Sequence, residues 1–328
     1  MGNENKYLGE EKISKLLLKF SLPCVMALLI SALYNIVDQI FIGNSSLGYL
    51  GNAATGVSFP IICIANAFAW CVGDGAASFL SICSGRKDTE SAHKCVGTGI
   101  VVTIIISIIL MAICEIFAKP LMNLFGASNQ TIDMAVEYFQ IIAAFFPFYL
   151  LYNVMNSMIR ADGAPRYAMI AMLVGAILNI ILDPIFIFVL DMGVTGAAIA
   201  TVLSQYISAA LVAITLCRLP EDVRLERSKM RINPRQLRQI LVIGIPAGLQ
   251  FVMFDLSNLL VQSGINSFGD VTMAAWAAYS KADGLTWMTC GAFGVAVTTF
   301  VGQNFGAQKY SRIRQSVRVC MGMSVALL

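Results

Sequence analysis

Residues 96–117 read VGTGIVVTIIISIILMAICEIF, and Glu115 is their only charged side chain. A helix of this length reaches across the hydrocarbon core of a bilayer, which is about 30 Å thick. The stretch therefore predicts a transmembrane helix. Similar apolar blocks on both sides of it predict seven further spans, at residues 14–43, 53–84, 135–159, 167–190, 196–216, 240–265 and 273–300.

The composition of the whole chain agrees with this prediction. Of 328 residues, 58% are apolar and 12% are charged, against about 25% charged in soluble domains. Such a chain has too little polar surface for water, so we expect an all-α integral membrane protein whose main partner is the lipid bilayer. The composition also excludes a disordered chain and a nucleic-acid-binding protein.

The sequence argues against a histidine metal centre and against a disulfide framework. His93 is the only histidine, and we expect it in a solvated loop. The nine cysteines have no CxxC spacing and mostly lie inside apolar blocks, so we interpret them as small buried side chains. We therefore expect no cofactor.

The distribution of positive charge predicts the orientation in the membrane. All of the 22 lysines and arginines except Lys119 and Lys281 lie on one side of the predicted spans. Because such residues are retained in the cytoplasm, we expect residues 1–12 to be a cytoplasmic segment of a multi-pass protein in the cell membrane. The run from Val317 to Leu328 begins a ninth span and stops, so we expect a chain truncated at its C-terminus.

A weak internal repeat relates the two ends of the chain. Pro23 matches Pro246 at a spacing of 223 residues, and after a two-residue gap Gly85 matches Gly306 at a spacing of 221. Further matches at these spacings are Asn35 with Asn258, Gln39 with Gln262, and Ala53-Ala54 with Ala274-Ala275. The period contains six spans, an even number, so both copies enter the membrane from the same face.

The repeat predicts two six-helix lobes related by a pseudo-twofold axis along the membrane normal. The N-terminal lobe is expected at residues 13–219, and a cytoplasmic linker at 220–234. The C-terminal lobe is expected at residues 235–328 and is incomplete, because it holds only helices seven and eight and the start of helix nine.

Acidic residues inside predicted spans are candidate functional groups, because an unpaired charge in hydrocarbon costs several kcal/mol. Five qualify, namely Asp38, Asp74, Asp183, Asp255 and Asp283. Asp38 follows Asn35 by three residues and Asp183 follows Asn179 by four, so each pair shares a helix face. Pro184 leaves a backbone carbonyl of the preceding turn without its usual donor. If the first and fifth helices meet, these oxygens predict a Na⁺ site or, equally, two carboxylates that share a proton. The alternative is a structural hydrogen bond between the helices.

The remaining candidates leave several interpretations open. Asp74 lies between two glycines and is either a functional or a structural group, and Asp255 has no obvious partner in its own helix. Asp283 follows Lys281, the one intramembrane lysine, by two residues, which favours an ion pair that joins helices. Pro23 removes a helical hydrogen bond and predicts either a static kink or a hinge.

Two stretches resemble the multidrug and toxic compound extrusion (MATE) family. The first reads IRADGAPR at residues 159–166, LNIILDPIFIF at 178–188 and GVTGAAIAT at 193–201, and is similar to the family's signature from the fourth to the sixth helix. The second, FVGQNFGA at residues 300–307, resembles the end of its eighth helix. The resemblance extends over essentially the whole chain.

The resemblance implies twelve helices in two six-helix lobes around a cleft, and export of drugs or organic cations by alternating access in exchange for H⁺ or Na⁺. In the branch of the family with an N-lobe cation site, the motif residues fall on Asp38, Asn179, Asp183 and Thr201, of which the first three would hold Na⁺. The family's bending proline falls on Pro23. Another branch uses acids of the C-terminal lobe, near Asp255, so the coupling lobe stays open.

These observations favour one function over two alternatives. The leading hypothesis is a monomeric, cation-coupled antiporter for drugs and organic cations, which is a transporter and not an enzyme. A flippase for lipid-linked precursors would need a basic cleft, yet only Lys281 is intramembrane. An intramembrane aspartyl protease would need a GxGD sequence, but Cys71 stands two positions before Gly73.

Overall fold

The computed structural model describes residues 12–45, 48–218, 225, 227–266 and 268–327. All regular secondary structure in these residues is helical, so the predicted all-α fold is confirmed. The described α-helices are α1 (Ile13–Asn44), α2 (Gly48–Val57), α3 (Phe59–Arg86), α4 (Thr89–Ile116), α5 (Ala118–Leu124), α6 (Ile132–Ala144), α7 (Phe146–Ala161), α8 (Pro165–Pro184), α9 (Gly193–Arg218), α10 (Pro234–Asn266), α11 (Asp270–Gly306) and α12 (Tyr310–Leu327).

The described helices are those of a multi-pass membrane protein. Six stretches are long and apolar enough to cross a bilayer, or seven when α6 and α7 count as one bent span. The eighth predicted span, 273–300, lies inside α11, which is not among these stretches. The membrane fold is confirmed, whereas the count of eight spans stays a prediction.

Prolines mark most places where a predicted span is interrupted. α7 has Pro147 in its first turn and is bent by 52° from α6. Pro60 likewise lies in the first turn of α3, and Pro184 ends α8 before a π-helical turn at Ile185–Val189. Proline suits a first turn because the N–H it lacks has no intrahelical partner there. Pro23, by contrast, is buried inside α1, which continues through it.

The main apolar core lies among α3, α4, α7 and α9. Leu80, Val96, Met158 and Leu216 are all fully buried in it, and Ile240 of α10 joins the same cluster. Lipid tails are as apolar as these side chains, so close packing between helices, rather than removal from water, stabilises this core.

The two copies of the repeat meet at the C-terminal ends of α3 and α11. A Cβ atom on Gly85 would lie 2.0 Å from the carbonyl oxygen of Gln303, and one on Gly306 would lie 2.2 Å from that of Ile82. Only glycine allows so close an approach of two backbones. Gly85 and Gly306 are equivalent in the repeat, as are Ile82 and Gln303, so the contact is symmetric about the pseudo-twofold axis.

The turns that follow α3 and α11 also have the same geometry. Lys87 and Gln308 are equivalent in the repeat, and each has a φ of 59°. The next residues, Asp88 and Lys309, each donate a backbone N–H to the carbonyl oxygen five residues back. The N···O distances are 3.0 Å and 2.8 Å respectively. This is the long hydrogen bond of a Schellman turn. The matching turns and glycine contacts indicate that the weak sequence repeat is also structural.

Residues 1–11 of the predicted N-terminal segment and residues 220–224 and 226 of the predicted linker lie outside the described residues. The described end of the linker packs against α4. The Thr98 hydroxyl donates to the carbonyl of Arg231 at 3.1 Å and accepts from the N–H of Asn233 at 3.2 Å. The linker is thus fixed to the N-terminal lobe just before α10 begins, while the predicted domain boundaries stay predictions.

The prediction of a solvated loop at His93 was wrong. Asp88 caps α4 by accepting a hydrogen bond from the Ser91 N–H at 3.0 Å, so the helix begins at Thr89, before its apolar block. His93 therefore lies inside the helix and is 8% exposed. All nine cysteines are free thiols, but Cys217 is exposed, so the prediction of buried side chains was wrong for that residue.

Candidate functional site

Asp38 on α1 and Asp183 on α8 lie side by side within the N-terminal lobe. Their side chains are only 8% and 0% exposed, and the two carboxyl groups are near neighbours inside the protein. The contact exists because α1 and α8 pack against each other. Two buried carboxylates repel each other when both are charged, so a proton or a small cation held between them would stabilise the pair.

Asn179 and Thr201 complete the cluster. The Asn179 amide donates to Oδ1 of Asp183 at 3.1 Å and lies 3.5 Å from the Thr201 hydroxyl. Asn179 and Asp183 are four residues apart on α8 and so share a face, while Thr201 comes from α9. The structure thus brings together the four residues at which the sequence predicts the cation site.

Three oxygen atoms of this cluster are buried without a hydrogen-bond partner among the described residues. They are Oδ1 of Asp38, Oδ1 of Asn179 and Oδ2 of Asp183. More than nine in ten buried polar groups in proteins are hydrogen-bonded, so three orphans in one place require an explanation. Carboxylate and amide oxygens are ligands of hard cations, and the donor set fits Na⁺ or a proton.

A polar cavity of about 100 Å³ adjoins the cluster, between α1, α7, α8 and α9. It has room for several water molecules. Its wall includes Asn179 and Thr201 as well as the tyrosines 34, 149 and 152. The Tyr149 hydroxyl donates to the side-chain oxygen of Asn66 at 2.7 Å. The cation cluster is therefore continuous with a polar space inside the lobe.

Sequence reasoning missed two polar residues of this cavity, Ser204 and Gln205. Both carry a buried side-chain oxygen without a hydrogen-bond partner among the described residues. They follow Thr201 by one helical turn on α9, and Ser208 follows by another. A polar stripe at helical spacing within an apolar span was the signal that could have found them.

Asp74 is separate from the cation cluster. It lies on α3 and lines a cavity of about 260 Å³ between α3, α7, α10 and α11, together with Arg160. The Arg160 guanidinium donates to Asn156 at 2.6 Å and to Ser157 at 2.9 Å. Asp74 therefore faces a fixed positive charge at the junction of the two lobes, not the Asp38–Asp183 pair.

The other candidates do not join the cluster either. Asn35 is exposed and donates to its own helix, at the carbonyl of Ser31, instead of to the cluster. Asp255 is half-buried on α10 near the thiol of Cys63. Asp283 accepts a hydrogen bond from Tyr279 at 3.4 Å. The side chain of Lys281 lies outside the described residues, so the predicted ion pair stays a prediction.

Comparison with known proteins finds relatives among multidrug export proteins. Relatives include the multidrug export protein MepA of Staphylococcus haemolyticus (strain JCSC1435), 27% identical over 98% of this chain and 71% of that protein. The probable multidrug resistance protein YoeA of Bacillus subtilis (strain 168) is 24% identical over 92% of this chain and 66% of its own length. MepA of Staphylococcus aureus (strain MRSA252) is 28% identical over 82% of this chain. The chain spans 60% to 71% of the length of these relatives.

Solved structures with the same fold cover 98% of this chain and 71% or 72% of their own. A MATE protein in the bent conformation and one in the straight conformation both superpose with a TM-score of 0.90 at 25% identity. An outward-facing multidrug resistance MATE family transporter of the MOP superfamily superposes with a TM-score of 0.89 at 24% identity. The fold is shared with all three.

The model of the MatE family matches residues 23–185 and 246–328 of this chain. The two matched segments begin at Pro23 and Pro246, the same pair that starts the internal repeat. The family match thus covers both lobes and includes three of the four residues of the cation cluster, Asp38, Asn179 and Asp183. The chain belongs to the MatE family of membrane transporters.

Proposed function

We propose that the whole protein exports drugs or organic cations in exchange for a small cation, H⁺ or Na⁺, bound at Asp38 and Asp183. The single observation that carries this proposal is the set of three buried oxygens without partners on Asp38, Asn179 and Asp183. The names of MepA and YoeA, which describe multidrug export and resistance, support the choice of cargo. Neither a lipid-precursor flippase nor a protease gains support from any of these observations.

Coupling requires that the small cation and the drug prefer different conformations. A bound cation neutralises the carboxylate pair and pulls α1 and α8 together. Tyr34 on α1 lines the adjoining cavity, so a movement of α1 changes the shape of that cavity. Pro23, fifteen residues before Asp38, interrupts the hydrogen bonds of α1 and supplies the hinge. In this mechanism, cation binding lowers the affinity for drug in the outward-open state and so drives its release.

The proposal is tested by efflux of a fluorescent organic cation from cells that produce the whole protein. Asp38→Asn and Asp183→Asn keep the shape of each side chain but remove its charge. We expect each to lower efflux by roughly tenfold or more, within the range of coupling free energies of about 1–3 kcal/mol. Asp255→Asn is the matched control, an intramembrane acid outside the cluster, and is expected to retain efflux. Undiminished efflux in both cluster variants would remove the assigned role.

The identity of the coupling ion is tested separately in proteoliposomes. An imposed pH gradient and an imposed Na⁺ gradient of equal size are compared as driving forces for uptake of the same fluorescent cation. The oxygen cluster accommodates either ion, so one of the two gradients is expected to drive transport. Uptake that is just as fast when neither gradient is imposed would contradict antiport.

A further inference from the structure

A groove of about 400 Å³ lies between the end of α3, the start of α4 and the start of α10. We define this cytoplasmic groove by its polar residues Arg86, Asp88, Ser91, Arg235, Gln236 and Gln239. The distribution of positive charge predicts that these helix ends face the cytoplasm. We propose that the groove binds the headgroup of an anionic phospholipid that carries a hydroxyl group, with phosphatidylglycerol as the simplest example.

The charge of the cytoplasmic groove favours a phosphate group. Arg86 belongs to the N-terminal lobe and Arg235 to the C-terminal lobe, and both side chains are exposed at its rim. Neither guanidinium forms an ion pair among the described residues. Arginine is well suited to phosphate because its planar fork donates two parallel hydrogen bonds. Basic pockets between transmembrane helices on the cytoplasmic side are typical sites for anionic headgroups.

Asp88, the one acid of the groove, is already engaged with α4. Its carboxylate accepts a hydrogen bond from the Ser91 N–H at 3.0 Å. This hydrogen bond holds the pKa of Asp88 below its usual range, so the carboxylate stays committed to the helix N-terminus. Two arginines thus outweigh one acid in the groove, and the net attraction is for an anion.

Gln236 supplies a second, independent observation. Its side chain is only 5% exposed, and Oε1 is buried without a hydrogen-bond partner among the described residues. An orphan acceptor of this kind in a groove wall calls for a donor on the ligand. A headgroup hydroxyl meets that requirement, whereas a phosphodiester without a headgroup hydroxyl leaves the amide oxygen unpaired.

Apolar side chains also line the groove, which favours a lipid over a soluble anion. Phe79, Ile243 and Phe305 are among them, and Phe305 is 44% exposed. Acyl chains can contact these side chains while the phosphate stays at the rim. The ligand would bridge the two lobes, because the groove joins α3 and α10. This inference does not depend on the proposed transport activity.

The test is a titration of the purified whole protein in detergent with short-chain phosphatidylglycerol, read as the shift in thermal unfolding. Phosphatidylcholine, inorganic phosphate and glycerol 3-phosphate are titrated in parallel. We expect phosphatidylglycerol to raise the unfolding temperature at concentrations at which the other three do not. An equal shift with phosphatidylcholine, or with either soluble phosphate, would overturn the lipid assignment.

Two sets of variants locate the site. In the double variant Arg86→Gln/Arg235→Gln we expect the affinity for phosphatidylglycerol to fall roughly thirtyfold. Each arginine near an anionic headgroup contributes about a fivefold gain in affinity. The matched control Lys87→Gln/Arg238→Gln removes the same charge from the same helix ends outside the groove, and is expected to keep its affinity. Both changes affect exposed side chains, so both proteins should fold. An equal loss in the two proteins would mean general charge attraction and would overturn the site.

The role of Gln236 has its own readout. Phosphatidylmethanol carries the same phosphodiester charge as phosphatidylglycerol but has no headgroup hydroxyl. The unaltered protein is expected to prefer phosphatidylglycerol, and Gln236→Met is expected to bind the two lipids equally. A preference that survives in Gln236→Met would show that the hydroxyl does not contact this amide.

Discussion

Helices α1 and α10 are equivalent in the internal repeat, yet only α1 takes part in a buried polar cluster among the described residues. Both helices keep the proline at Pro23 and Pro246. The position of Asp38 is taken in α10 by Val261, whose side chain is 48% exposed. The repeat therefore preserves the scaffold, whereas the charge that we assign to ion coupling depends on one residue of one copy.

The acid of α10 occupies a different position. Asp255 is equivalent to Ala32 of α1, six residues before Asp38, and it is half-buried near Cys63. No partner carboxylate or orphan amide adjoins it in the described part of the chain. An acid inside a span is thus not sufficient for a cation site, because the site also requires a second helix that presents oxygens to it.

The largest expected effect comes from exchanging the residues that distinguish the two helices. Asp38→Val, which places the α10 residue in α1, is expected to abolish gradient-driven efflux, since one of the two carboxylates is lost. Asp255→Ala, which places the α1 residue in α10, is expected to leave efflux within roughly twofold, a change well below a coupling free energy of about 1 kcal/mol. Efflux from both proteins is compared at equal protein level in the membrane. The reverse order of effects would assign coupling to the C-terminal lobe.

The next expected effect concerns the close contact between α3 and α11, at Gly85 and Gly306. Gly85→Ala and Gly306→Ala each place a methyl group against a backbone carbonyl of the other helix, so each is expected to destabilise the protein by about 1–3 kcal/mol. The double variant should lose less than the sum, because both changes separate the same pair of helices. Gly284→Ala in α11 is the control, since a Cβ there meets open space. Thermal unfolding in detergent measures all four proteins, and strictly additive losses would contradict a shared contact.

The two prolines give a smaller, functional contrast. Pro23 is buried in α1, the helix that carries Asp38, whereas Pro246 is exposed in α10, which contributes no residue to the Asp38–Asp183 cluster. Pro23→Ala restores a helical hydrogen bond, and we expect it to slow efflux severalfold without lowering the unfolding temperature. Pro246→Ala is expected to have a weaker effect. Equal efflux in the unaltered protein and Pro23→Ala would favour a static kink over a hinge.

The smallest expected effect concerns the residues that follow the matching turns after α3 and α11. Asp88 caps α4, whereas its equivalent before α12 is Lys309, which has no side-chain acceptor for helix N–H groups. Asp88→Ala is expected to lower the free energy of unfolding by about 1 kcal/mol, and Lys309→Ala by less.

This cap also predicts a pH dependence. The hydrogen bond from Ser91 lowers the pKa of Asp88 in the folded state, so its stabilisation is present above the ordinary pKa of 3.8 and is lost as the pH falls through the lower, folded value. The difference in unfolding temperature between the unaltered protein and Asp88→Ala should therefore shrink in acid. A difference that grows in acid would contradict the cap.

Much of this fold was predictable because a membrane limits the choices. Apolar blocks of about 20 residues form helices in a bilayer, and the repeat fixed the relation of the lobes. The symmetric contact of Gly85 and Gly306 was not predictable, since close approach depends on packing that the pattern of residues does not contain. The helix start before His93 was missed because the Asp88 cap lies outside the apolar block.

The candidate site also has a part that was predictable from the sequence and a part that was not. Asn179 and Asp183 share a helix, so their proximity followed from spacing alone, and Thr201 came from family resemblance. The contact between Asp38 and Asp183 joins distant helices and needed the structure. Asn35 also satisfied the spacing rule, but its side chain is exposed and donates to the carbonyl of Ser31, and the spacing in a single helix does not reveal which side chains are buried.

The most direct test of the central claim is to measure cation binding to the purified whole protein in detergent, as Na⁺ bound or protons taken up per molecule. The account predicts one cation per protein, lost in both Asp38→Asn and Asp183→Asn and retained in Asp255→Asn. Binding that persists in the two cluster variants and disappears in Asp255→Asn would contradict it.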